Sequence, residues 1–316
     1  MVMDQAEGLR TLVNTRKGTP AADPFVSAPD PFPNLSPGKC PRVISVTSGK
    51  GGVGKTNVVA NLAFAFTELG QKVLVLDADL GLANIDVLLG LTPQYTLEHF
   101  FGGKKSLSDI LIEGPGGMSI MPASSGVLDL VDLNENQKLF LLAEVERIAE
   151  RIDVLLIDTG AGIASNVLYF NTAAQEAVVV ATPEPTSMTD AYALIKVLST
   201  RCHKKHFLLL INQAGDAREA RDVFEKISRV ADRFLESLSI DYLGFIPYDE
   251  KLPSAVKHQR PVLEIYPTAS SSRRFMALAK TISERPLRPK DQGSIQFFWK
   301  QLLQADQAAY RNGGML

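Results

Sequence analysis

The chain has 316 residues, 45% hydrophobic and 22% charged, with a net charge of −2. That composition builds a large globular core and argues against a disordered or collagen-like chain. The near-neutral balance gives no global electrostatic drive toward nucleic acid, so no specific nucleic-acid partner is expected. Cys40 and Cys202 are the only cysteines, which leaves neither a disulfide framework nor metal-ligand spacing and fits a reducing cytoplasm. Residues 1–15 lack the apolar stretch of a signal peptide, and the sequence has no apolar run of about 18 residues to span a membrane.

Residues 4–13 have the pattern of a short helix. Pro20, Pro24, Pro29, Pro31, Pro33, Pro37 and Pro41 then make 18–41 an extended linker. Residues 1–17 are thus expected to be tethered away from a main domain spanning 42–284. Within that domain, apolar runs predict strands at 43–47, 73–76, 119–121, 153–157, 177–181, 207–211 and 240–246. Helical patterns fit 55–69, 136–150, 165–173, 187–200, 217–236 and 270–283. Continuous apolar strands such as Val154-Leu155-Leu156-Ile157 imply burial on both faces. The expected fold is therefore α/β, a doubly wound, mostly parallel sheet flanked by helices. Ligands of such sheets bind beyond the strand carboxyl ends.

Three segments at strand ends carry chemistry. The first, Gly49-Lys50-Gly51-Gly52-Val53-Gly54-Lys55-Thr56, follows the strand at 43–47 and precedes a helix. Its glycines let backbone N–H groups wrap a phosphate chain, and the helix N-terminus adds free amides. Lys55 is placed to reach the β- and γ-phosphates, and the Thr56 hydroxyl to ligate Mg²⁺. Asn57, just inside the helix, joins the nucleotide-contact set. Lys50 is an extra lysine near the start of the loop. The second segment is Asp77-Ala78-Asp79 and the third is Asp158-Thr159-Gly160-Ala161-Gly162. Asp158 fits a carboxylate holding Mg²⁺ directly or through water, and the glycines after it suit a loop that senses the γ-phosphate. Of Asp77 and Asp79, one could support the metal while the other orients the attacking water. A lone aspartate at such a position is as often a helix cap or turn former.

The lysine-bearing loop, Asp77-Ala78-Asp79-Leu80-Gly81-Leu82-Ala83-Asn84-Ile85-Asp86 and Asp158–Gly162 together resemble the MinD/ParA family of deviant phosphate-loop ATPases. The resemblance covers about 42–284. It implies an ATP/ADP cycle with Mg²⁺ and an ATP-bound homodimer in which Lys50 reaches the partner's nucleotide. Lys50, Lys55 and Asp79 are then the catalytic set, with Asp79 positioning water. Thr56, Asp77 and Asp158 form the metal set, and Asn84 becomes a switch residue near the γ-phosphate. Asn212, ending the strand at 207–211, suits adenine. The guanine-reading pattern is absent, because Gln213 and Gly215 occupy its later positions. Family members also frame the base with a late proline segment, here Pro247-Tyr248-Asp249.

The two ends narrow the resemblance to the FlhG-type branch, also called FleN or YlxH. Asp4-Gln5-Ala6-Glu7-Gly8-Leu9-Arg10 matches that branch's Asp-Gln-Ala-x-x-Leu-Arg segment, which implies that Asp4, Gln5, Ala6, Leu9 and Arg10 stimulate the partner GTPase FlhF. Ile295, Phe298, Trp299, Leu302 and Leu303 fall on one helical stripe after a basic stretch with Pro286 and Pro289. Residues 285–316 therefore read as a linker and an amphipathic helix. That helix either packs on the protein's own core or, as the resemblance implies, targets an anionic membrane surface. Flagellar C-ring proteins or a flagellar transcription regulator are further implied partners. The expected protein is cytoplasmic and reversibly peripheral on the inner face of the cell membrane. A division-site MinD, a DNA-partitioning ParA and a non-hydrolysing scaffold remain the alternatives. The basic run Arg201–His206 reads as a solvated loop.

Overall fold

Strand β1 (Arg42–Ser48) is apolar on both faces, and each residue from Val43 onward is buried. Such a strand is stable only inside a sheet covered by helices on both sides. The computed structural model of the chain places it there. It describes residues 41–79, 84–95, 97–121, 144–145, 147–235 and 238–287. These lie in the second of two units, Met1–Gly38 and Lys39–Leu316.

Eight strands form one sheet in the order β3-β4-β2-β5-β1-β6-β7-β8. They are β2 (Val73–Ala78), β3 (Ile112–Glu113), β4 (Ser119–Met121), β5 (Val154–Ala161), β6 (Glu176–Ala181), β7 (His206–Ala214) and β8 (Ser239–Pro247). All pairings are parallel except β3 with β4. Helix α1 (Lys55–Glu68) and helix α10 (Ser270–Glu284) pack on one face. Helices α3 (Leu97–Phe101), α4 (Leu107–Ile110) and α5 (Ser165–Ala173) cover one half of the other face. Helices α6 (Pro185–Arg201) and α7 (Ala217–Phe234) cover the remaining half. Leu155, Leu156 and Ile157 of β5 have no exposed surface, so each contributes roughly 1.5–3 kcal/mol of burial.

The expected doubly wound sheet is present. Short elements escaped the sequence reading: β3, α2 (Ile85–Leu88), α3, α4, α8 (Lys251–Lys257) and α9 (Val262–Ile265). Spans of two to seven residues are too brief for periodicity to register. Of the helix expected at 136–150, residues 144–145 and 147–149 are described and helical. The segments holding Asp4, Gln5, Ala6, Leu9 and Arg10, and Ile295, Phe298, Trp299, Leu302 and Leu303, lie outside the described residues. Among the described residues, no helix is long and apolar enough to cross a membrane.

The order puts β1 between β5 and β6, where the chain changes winding direction. Its carboxyl end is therefore a crevice. A charged network ties the opposite pole together. Arg42 Nε lies 3.1 Å from Glu176, and its guanidinium also donates to the Arg285 carbonyl. Arg285 Nη2 sits 2.7 Å from Asp241 Oδ2, which His206 Nε2 also approaches at 3.1 Å. Desolvation alone would raise the Asp241 carboxyl, but hydrogen bonds from Arg285 and His206 outweigh it and hold the group at about 2.

Candidate nucleotide site

The loop between β1 and α1 turns on two left-handed glycines, Gly52 (φ 80) and Gly54 (φ 89). Gly54 is also the N-cap of α1 and provides no side-chain cap. The first amides of α1 therefore face outward, ready for an anion. Lys55 begins that helix and is 8% exposed. Burial lowers its ammonium below the ordinary lysine value, against the opposing pull of Asp158 and Asp79. Two carboxylates thus act on one buried lysine.

Parallel register explains the gathering. Asp77 of β2 pairs with Asp158 of β5, and Asp158 pairs with Val46 of β1. Burial raises the Asp158 carboxyl to about 7, although the Thr56 side chain hydrogen-bonds to it. Its Oδ1 is buried with no hydrogen-bond partner among the described residues. An orphaned carboxylate oxygen beside a threonine hydroxyl is an oxygen pair that suits Mg²⁺. Asp79 lies against the next loop, since a Cβ on Gly160 would sit 3.4 Å from its Oδ1. Gly162 N donates to Ser48 O at 2.9 Å, joining that loop to the phosphate loop.

Asp77, expected in the metal set, is engaged with the backbone. Its Oδ1 accepts from Asp79 N at 3.1 Å, and its Oδ2 from Asn84 N and Ile85 N at 3.1 and 3.3 Å. It caps the start of α2 and links the backbone of Asp79 to that of Asn84. Asp158 is the carboxylate left facing the cation position. Burial raises Asp77 to about 6, despite those three backbone donors. The Asn84 side chain is exposed at the N-cap of α2. Asn57 accepts from Asn61 Nδ2 through its carbonyl.

Asp249 has a structural task that the sequence reading did not foresee. Its Oδ2 accepts from Ser270 Oγ, Ser271 N and Ser271 Oγ at 2.8–2.9 Å. Its Oδ1 accepts from Lys251 N at 3.0 Å. The carboxylate therefore caps α10. Pro247 ends β8 beside Ala214 of β7, where Tyr248 N donates to Ala214 O. Asn212 is 4% exposed, and its Nδ2 donates to Val53 O at 2.7 Å. One of its two amide donors is therefore committed to the loop.

The sequence reading missed the contacts between the loop and the β6–α6 turn. Lys50 Nζ lies 2.8 Å from Glu184 Oε2 and 3.0 Å from Thr186 Oγ1, in a half-exposed ion pair. The signal was available in Thr182-Pro183-Glu184-Pro185-Thr186, which follows a strand end as the other site segments do. Gly49 lies against the α6 backbone, so that a Cβ there would sit 2.0 Å from the Asp190 carbonyl oxygen.

A glycine loop feeding an uncapped helix at the switch point of a parallel sheet, with a buried lysine and an orphaned carboxylate, defines a phosphate-loop nucleotide-binding protein. Comparison with known proteins narrows that class. The profile of the CobQ/CobB/MinD/ParA nucleotide-binding domain matches residues 44–262. The chain is 47% identical to the antiactivator FleN of Pseudomonas aeruginosa over 263 residues, which cover 83% of this chain and 94% of that protein. It is 36% identical to the flagellum site-determining protein YlxH of Helicobacter pylori, over 72% of this chain and 76% of that one. The Pyrococcus horikoshii septum site-determining protein MinD, solved with Mg-ADP, superposes with a TM-score of 0.61 at 25% identity, covering 77% of this chain and 96% of that one. This chain belongs to the MinD/ParA family, in its FlhG-type branch.

Proposed function

We propose that this chain is an ATP-hydrolysing switch that dimerises on ATP, associates reversibly with the membrane and controls flagellar number or placement. The observation that carries the reading is the division of labour between two lysines in one loop. Lys55 is buried among Asp158 and Asp79, whereas Lys50 is half-exposed in a pair with Glu184. A buried lysine serves its own chain's phosphates. A surface lysine held by an exposed carboxylate and an exposed hydroxyl can exchange those contacts for a phosphate on a second copy, because exposed ion pairs contribute at most about 1 kcal/mol.

Thr56 and Asp158 are the residues that would hold Mg²⁺, which supplies neutralisation of phosphate charge. Lys55 sets the position of the β- and γ-phosphates. Asp79, against Gly160, orients the attacking water. Asp77 accepts from the backbone amides of both Asp79 and Asn84, so a contact at the γ-phosphate by one of these residues is passed to the other. Asn212 and the absence of a guanine-reading pattern favour adenine. The FleN and YlxH relatives support the flagellar role. The sequence of 4–10 supports stimulation of an FlhF-type GTPase, and the apolar stripe of 295–303 supports weak membrane binding that a dimer strengthens by avidity. Flagellar C-ring proteins or a flagellar transcription regulator fit as further partners.

Sedimentation of the full chain with Mg-ATP and with Mg-ADP tests the central claim. Wild type is expected to dimerise with ATP only, and Lys50→Ala to remain monomeric with both. A wild-type chain that binds ATP and stays monomeric refutes it.

A further inference from the structure

The bond from Asn212 to Val53 joins residues 159 positions apart and lies in the buried interior. Its acceptor is the carbonyl at the apex of the phosphate loop, between the two left-handed glycines, Gly52 and Gly54. Its donor is delivered by β7, whose residues Phe207–Ile211 have no exposed surface. Gln213, at φ 60, follows it in a bulge of the same strand. The amide is packed as well as bonded, because a Cβ on Gly54 would meet Asn212 Nδ2 at 2.6 Å. The peptide plane of the Val53 carbonyl is followed by the left-handed Gly54, whose missing Cβ weakens its steric preference. Without a fixed donor, the Val53 carbonyl could rotate toward the phosphate side and oppose the bound anion.

We propose that Asn212 is a positioning residue for the phosphate loop. It holds the Val53 carbonyl on the β7 side, so that the loop amides stay turned toward the phosphate chain. The role is separate from reading the base and rests on the nucleotide-binding reading above. It assigns to this side chain a share of the affinity for any polyphosphate, with or without a base.

The test uses the full chain with Mg²⁺ and two ligands, ATP and inorganic tripolyphosphate, titrated calorimetrically into wild type, Asn212→Ala and Asn212→Leu. The leucine variant keeps the branched shape of the side chain and removes the donor without adding charge. Loss of a buried hydrogen bond predicts that both variants bind both ligands about tenfold or more weakly. Amide exchange of residues 51–55 in the ligand-free chain is expected to quicken in both variants. A loss confined to ATP, with tripolyphosphate affinity and loop exchange unchanged, overturns the proposal and leaves Asn212 as a base reader. A lower melting temperature with unchanged tripolyphosphate affinity also overturns it, because that result describes a purely structural contact. Failure of wild type to bind either ligand refutes the nucleotide reading itself.

Discussion

Substituting Gly49 by alanine separates two reasons for a glycine in the phosphate loop. Gly49 does not need a left-handed backbone, because its φ lies outside that region. It needs space, since the added Cβ would stand 2.0 Å from Asp190 O and 2.1 Å from Asp190 C. Both are backbone atoms of α6 and have no rotamer by which to move aside. An ordinary contact starts near 3.4 Å, so α6 or β1 must shift by more than about 1 Å in a close-packed interior. Forced overpacking of this kind costs about 3 kcal/mol or more. For a chain of this size that lowers the melting temperature by about 6 °C or more. Gly51 is the control, with nothing within 4 Å of its added Cβ. Gly51→Ala is expected to melt within about 2 °C of wild type, as surface changes do. Thermal unfolding followed by circular dichroism, without ligand, reads both. A Gly49→Ala chain that melts like Gly51→Ala refutes the claim that the first loop glycine exists for α6.

Three further outcomes follow from the site. The raised Asp77 and Asp158 carboxyls, at about 6 and about 7, favour the protonated groups in the fold. Their stabilising contribution is complete below about pH 4 and is lost as pH rises from there to about 6–7. Asp77 alone then accounts for a loss of roughly 3 kcal/mol, most of it below pH 6. Melting of the ligand-free chain should therefore weaken from about pH 4.5 toward pH 8, and Mg-ADP should flatten the profile. A ligand-free profile with no fall across that window contradicts the burial argument. Asp249→Ala removes the cap of α10 and should cost about 1 kcal/mol without changing ATP affinity. A large loss of affinity would return Asp249 to the base pocket. Glu184→Gln breaks only a half-exposed ion pair and should alter ligand-free stability by less than about 1 kcal/mol. A fall of several kcal/mol by chemical denaturation would mean that Glu184 has a structural task.

The sequence by itself determined the features that depend on near neighbours. The loop at 49–56, the aspartates at two strand ends and the buried strands were all readable, because glycine torsions, helix N-termini and apolar runs act over a few residues. Family membership was readable for the same reason, since Lys50, Asp79 and Asp158 keep fixed spacing from those strand ends. Only the tertiary structure decided what each polar group touches. The sequence assigned Asp77 to the metal set, and the fold brings the backbone amides of Asp79, Asn84 and Ile85 to its oxygens. Asp249 was assigned to the base segment, and its carboxylate caps a helix that begins 21 residues later. Lys50 finds Glu184 across 134 residues, and Asn212 finds Val53 across 159. Gly49 has a conformation that any residue adopts, and its requirement for glycine comes from a carbonyl of α6. Periodicity along the chain carries no information about such pairs, because strand order and helix docking create them only when the sheet closes around β1.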